Sequence, residues 1–184
     1  MKLTKFISIF LLIIITRVAD IVFTYQYTPD LKNEANPLVV HLGFGWKEII
    51  IIQLVAIIYI GYLLYGHIYN RNDINPKIKN LSFNYFALQQ CYGDKFTDTS
   101  KKWNILIDYP RNSQRIKYIM GWVLPMATII IGFELVLLHL SLRNSQIFRY
   151  YYWIILPAFY ISIVFIFFLL YYVYMRIKYM QYKQ

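Results

Sequence analysis

Residues 6–25, FISIFLLIIITRVADIVFTY, form an apolar run long enough to cross a bilayer, and Arg17 and Asp20 lie inside it. A spanning helix needs about 20 mostly apolar residues, because a backbone cut off from water must satisfy its polar groups internally. An ionisable side chain within such a run is costly to keep there, so it marks a candidate site. The reading of the whole chain turns on what those two charges meet.

Three further apolar runs follow, at about 47–69, 118–142 and 152–174. With 184 residues, 59% of them hydrophobic and 20% aromatic, the chain is far richer in apolar surface than a soluble core of this size can use. The pattern predicts an all-α polytopic membrane protein: one membrane domain over 1–184, built as a four-transmembrane-helix bundle with helices at about 6–25, 47–69, 118–142 and 152–174. A basic loop, 70–117, joins helices two and three. Met1 to Ile15 has the charge and apolar core of a signal peptide, but no small-residue cleavage site follows and Arg17 interrupts the run, so it reads as a retained first helix. Pro29 stops that helix, Pro125 and Pro157 are kink positions, and the loop's Ile78, Leu81, Tyr85, Phe86 and Leu88 recur at near-helical spacing. Trp103, Leu106 and Ile107 do so less clearly. One or two short helices lying on the membrane surface are expected there.

A formal charge of +10 would suggest nucleic acid on a soluble fold, but in a membrane protein it first reports topology. Lys2 and Lys5, nine basic residues of the loop and three of the 176–184 tail lie on one side of the bundle. Lys32, Lys47, Arg143 and Arg149 lie on the other. Retention of Lys and Arg inside predicts an integral membrane protein, in the manner of the bacterial inner membrane, with both termini and the loop in the cytoplasm.

With that orientation, a rise of about 1.5 Å per residue places Arg17 near the middle of its span and Asp20, Thr24, Gln53, Glu134 and His139 further out, so that polar residues of three helices fall together in the outer half. Glu34, Asn36, His41 and Glu48 belong to the external loop above them. These residues define a candidate polar pocket built by helices one, two and three, with helix four packing from the lipid side. The alternative is a buried network of Arg17, Asp20 and Glu134 that fixes helix register. Asp20, Glu34, His41, Glu48, Glu134 and His139 have the chemistry of metal ligands, but no two share a diagnostic spacing, so a metal is left open. No cofactor or catalytic motif is present in the sequence, and the lone Cys91 excludes an internal disulfide.

The segment Asp20-x-x-x-Thr24, then Glu34-x-Asn36-Pro37, then a basic start to the second span at Lys47 resembles a family of small, uncharacterised bacterial membrane proteins. That family is similar in placing an Asp and a Thr late in its first helix and a Glu-x-Asn-Pro motif in its first external loop. The resemblance covers the first third of the chain and implies that Asp20, Thr24, Glu34, Asn36 and Pro37 form one unit. The long basic loop departs from the family's pattern.

Three function classes follow. In the first, the bundle anchors an accessory or effector protein whose basic segment, with Lys95, Lys101, Lys102, Arg111, Arg115 and Lys117 among aromatic side chains, docks a cytoplasmic protein, anionic lipid headgroups or RNA. Such a protein could affect permeability as a homo-oligomer in the lipid bilayer. In the second, the outer pocket with Arg17, Asp20 and Glu134 belongs to a binding or transport component. In the third, Asp20, Glu134 and His139 serve an intramembrane enzyme as acid and base.

Overall fold

The computed structural model describes residues 1–31, 37–69, 76, 78, 80–93, 96, 98, 100–142 and 146–183, without the side chains of 27, 37, 141–142 and 146–153. Among these residues the chain is helical, in the order α1 (Lys2–Tyr27), α2 (Pro37–Leu42), α3 (Trp46–Tyr69), α4 (Phe83–Tyr92), α5 (Ser113–Leu142) and α6 (Gln146–Lys183). The stretches Lys2–Gln26, Trp46–Tyr69, Ser113–Leu140 and Ile154–Lys183 are each long and apolar enough to cross a membrane. Each of the four expected spans lies inside one of these helices. The ends differ from expectation where polar residues extend a helix that has already formed: α5 begins at Ser113 rather than 118, and α6 runs to Lys183 rather than 174.

The bundle is organised on α5, which packs against α1, α3 and α6, while α1 also packs on α3 and α4 on α6. Glycines set the closest crossings, where the helices approach with no room for a side chain. A Cβ at Gly121 of α5 would lie 2.3 Å from the Leu63 carbonyl oxygen and 2.8 Å from His67 Cβ of α3. At Gly132 it would lie 2.5 Å from Thr16 Cβ of α1, and at Gly61 of α3, 2.7 Å from the Phe10 ring. At one end, which we call the near end, Phe6 meets Tyr65 and Tyr69, and His67 Nδ1 donates to the Tyr118 carbonyl at 2.8 Å. At the far end, Tyr25 meets Trp46 edge-on, and Trp46 Nε1 donates to the Pro29 carbonyl at 2.8 Å. The start of α1 and the last turns of α6 therefore share the near end with α4 and the residues described around it.

At 38 residues, α6 is about 57 Å long, nearly twice the hydrocarbon thickness of a bilayer. Its last turns are the post on which the connecting segment folds into a cap. Tyr179 and Tyr182 donate to the Leu81 and Ile78 carbonyls and pack on Phe86, while Trp103 stacks on Tyr172. Cys91, Ile119, Val123, Ala127, Leu170, Tyr171, Tyr174 and Met175 form the core that joins cap to bundle.

The expected surface helices are corrected in two ways. Helix α4 does not lie along a surface: Phe86 to Cys91 are all buried, so it is enclosed on successive sides. Residues 105–107 form a turn rather than a helix.

Candidate functional site

The far-half polar residues divide between the two faces of α5. Arg17 reaches Asp20 on its own helix at 3.8 Å and donates through Nη2 to the Thr128 carbonyl at 3.2 Å, beside Gly132. Both of its contacts lie on the α1 side of α5. Glu134, two residues after Gly132, is turned by about 200° and meets α6 instead, with Ser162 Oγ 2.7 Å from Oε1. The expected pocket of helices one, two and three is thus corrected: a shared depth left helix rotation unspecified, and α6, expected on the lipid side, supplies Glu134's partner. His139 falls on the α1 face, with its ring stacked on Phe23 at 6.0 Å. Asp20, Glu134 and His139 are not gathered as an acid and base set.

The other far-half residues hold structure. Glu48 sits at the third position of α3, and its Oε2 accepts from the Gly45 amide at 3.0 Å, one half of a capping box that ties down the helix start. His41 is exposed in α2, while Thr24 and Gln53 are half-buried. An open groove of about 610 Å³ lies here, lined by Ile21, Val22, Tyr25, Gln26, Trp46 and Ile50, and it is mainly apolar. Glu34, Asn36 and Lys95 lie outside the described residues. Among the described residues no group of three or more His, Cys, Asp or Glu side chains could hold a metal ion.

The cap holds a denser polar cluster, centred on a residue the sequence reading passed over. The Asp108 side chain is fully buried, and its Oδ1 accepts from Tyr92 Oη and Lys101 Nζ, each at 2.5 Å. Its Oδ2 accepts from the Asn104 amide at 2.8 Å, and its backbone carbonyl accepts from Tyr171 Oη at 3.3 Å. Burial pushes the Asp108 carboxyl up, but the hydrogen bonds from Lys101, Tyr92 and Asn104 outweigh it and hold the group below its ordinary value. The signal in the sequence was a lone acid within Trp103–Pro110, WNILIDYP, where apolar neighbours on both sides announce burial.

Two cations expected to face a partner, Lys101 and Arg115, are spent inside the cap. Arg115 Nη1 donates to the Gln89 and Gln90 carbonyls at 2.5 and 3.1 Å, and the Arg111 amide donates to the Cys91 carbonyl at 3.0 Å, so together they satisfy the open end of α4. Arg111's guanidinium also stands 4.9 Å from the Tyr92 ring centre. Burial pushes the Cys91 thiol up to about 11, against its hydrogen-bond contact with Tyr171, which makes it a poor nucleophile.

What the cap leaves outside is the turn itself. Leu106, Ile107 and Tyr109 are 68%, 65% and 66% exposed, and Lys102 and Arg111 flank them with exposed side chains. Trp103, at the base of the turn, packs on Tyr171 and Tyr172, which fixes its level along α6. Comparison with family models, characterised proteins and solved structures finds no significant match to this chain.

Proposed function

We propose that this is an integral membrane protein of four spans, with both termini and the cap in the cytoplasm, and that it works as an accessory protein whose cap docks on anionic lipid headgroups of the inner leaflet. The observation that carries this reading is the exposed turn of Leu106, Ile107 and Tyr109 between Lys102 and Arg111. Counting about 20 residues inward from Ile154 brings the hydrocarbon boundary to about Tyr174. The turn, level with Tyr171 and Tyr172, then falls at the inner edge of the hydrocarbon, where its apolar tips can enter and its flanking cations can reach the headgroups. Apolar tips there gain burial, while each nearby cation adds about 1 kcal/mol of attraction to an anionic surface. The basic excess on the cap's side of the bundle supports the cytoplasmic orientation.

A fluorophore on Ile107→Cys, in nanodiscs of defined lipid, tests the docking. Native Cys91 is 1% exposed and stays unlabelled. The emission should shift to the blue when phosphatidylglycerol replaces phosphatidylcholine, and Lys102→Glu with Arg111→Glu should abolish that lipid dependence. A probe that stays fully quenched by aqueous iodide in both lipids contradicts lipid docking and would leave the turn to a protein or RNA partner.

A further inference from the structure

Arg176 is held in place with most of its donors left over. Its Nε donates to Tyr172 Oη, one turn back on α6, at 2.7 Å, and its guanidinium stands 4.2 Å from the Phe83 ring centre of α4 and 5.3 Å from that of Tyr172. These contacts use the Nε donor and the face of the guanidinium, and they leave Nη1 and Nη2 without a hydrogen-bond acceptor among the described residues. Arg176 is exposed, and neither α4 nor α6 contains an Asp or Glu to answer its charge. The rings beside it are fixed in turn: Phe83, Trp103 and Tyr172 meet pairwise, with centres 5.6, 5.9 and 6.2 Å apart, so α4, the base of the exposed turn and α6 each supply one ring. A guanidinium already oriented by a hydrogen bond and two rings loses less freedom when it binds than an unheld one.

Position and chemistry together indicate the ligand. Arg176 lies one turn, about 6 Å, beyond Tyr172 and so just past the hydrocarbon boundary near Tyr174. The Nη pair of an arginine matches two oxygens of a phosphate, which a lysine ammonium cannot do, and the phosphates at this depth belong to lipid headgroups. The neighbouring cations are arranged differently. Lys101 is bound to Asp108, and Arg115 to the Gln89 and Gln90 carbonyls. Lys183, two turns further along the same side of α6, has its Nζ 5.2 Å from the Tyr179 ring centre, and no hydrogen bond holds it among the described residues.

We propose that Arg176 is the binding site for the phosphodiester of one anionic phospholipid on the cap's side of the bilayer, its Nη pair donating to two phosphate oxygens while Tyr172 and Phe83 hold the guanidinium. The turn of Leu106, Ile107 and Tyr109 meets the membrane as a surface, whereas Arg176 takes a single lipid. The proposal rests on the reading that α6 crosses a membrane with its boundary near Tyr174.

Native mass spectrometry of the full chain in detergent, with phosphatidylglycerol added in steps, tests it. Wild type should retain one phosphatidylglycerol that Arg176→Gln binds about tenfold more weakly. Arg176→Lys, which keeps the charge without the paired donors, should fall nearly as far. Lys183→Gln removes the same charge from the same helix and should leave the lipid bound. Equal losses from Arg176→Gln and Lys183→Gln would overturn the site, as would wild-type retention by Arg176→Lys. Inorganic phosphate at the lipid's concentration should not displace it; displacement would assign Arg176 to free phosphate and overturn the lipid as ligand. Cys91, 1% exposed, stays unlabelled while the cap is intact. Should Arg176→Gln expose it, Arg176→Lys, with a cation still over Phe83, decides. Emission from the Ile107→Cys probe in the same lipid keeps the two readings apart: a blue shift with retention indifferent to Arg176 sinks this site and leaves the docking of the turn, whereas Arg176-dependent retention without a blue shift sinks the docking and leaves the site.

Discussion

Asp108 is the residue on which the cap depends most, because a fully buried carboxyl must have every lone pair answered. Asp108→Ala would strand Tyr92 Oη and the Asn104 amide and should destabilise the cap by about 3 kcal/mol, at about 1 kcal/mol for each hydrogen bond lost. Cys91, packed behind it, reports the change. Its reaction with a small thiol reagent at fixed pH should rise by about two orders of magnitude, since 1.4 kcal/mol is a factor of ten. Because folding holds the Asp108 carboxyl below its ordinary value, the stability it contributes is complete above the ordinary aspartate range and is lost as pH falls through the lowered one. Near-ultraviolet circular dichroism of the cap aromatics should therefore fade on acidification below that range, and Asp108→Asn should remove most of this dependence. The basic residues of the loop were legible as a group, but which of them face outward was not. Lys101 and Arg115 read in the sequence like Lys102, and only the fold commits them to Asp108 and to the end of α4.

Helix crossings are the features of the next scale, and they rest on positions where a side chain has no room. Gly121→Val and Gly132→Val should each cost about 3 kcal/mol or more, because the nearest atoms are the Leu63 backbone and the branched Thr16 rather than a flexible side-chain end. Gly66→Ala, in the same bundle with nothing within 4 Å, should be neutral or slightly stabilising through helix propensity. Unfolding by sodium dodecyl sulfate in mixed micelles, followed by circular dichroism, orders the three. The four long helices were legible because an apolar run of 20 residues has few other uses, and Thr28-Pro29 gave the end of α1 within a residue. Helix α4 was legible as a helix but not as a buried one. Gln89 and Gln90 look solvent-facing until the α6 extension and Arg115 close around them. The length of α6 was hidden by Arg176, Lys178 and Lys183, which read as a tail, although nothing in 175–183 breaks a helix.

At the scale of the molecule, the near end carries the cap with the start of α1 and the last turns of α6, and the far end carries the contact of Tyr25 with Trp46. Depth along each span could be counted from the sequence, and it put Arg17, Asp20 and Glu134 at one level. Rotation about each axis could not be counted, and it sends Glu134 to α6 and Arg17 to Thr128. The single pocket dissolves into an ion pair on one seam and a Ser162–Glu134 hydrogen bond on the other, while the cap leaves the turn of Leu106, Ile107 and Tyr109 exposed. Everything proposed for it depends on which side of the membrane it occupies. Single cysteines replacing His41 at the far end and Lys102 in the cap, probed with a membrane-impermeant maleimide on intact cells and again after lysis, measure this directly. His41→Cys should label on intact cells and Lys102→Cys only once the membrane is opened. Labelling of Lys102→Cys on intact cells would contradict a cytoplasmic cap and the lipid docking built on it.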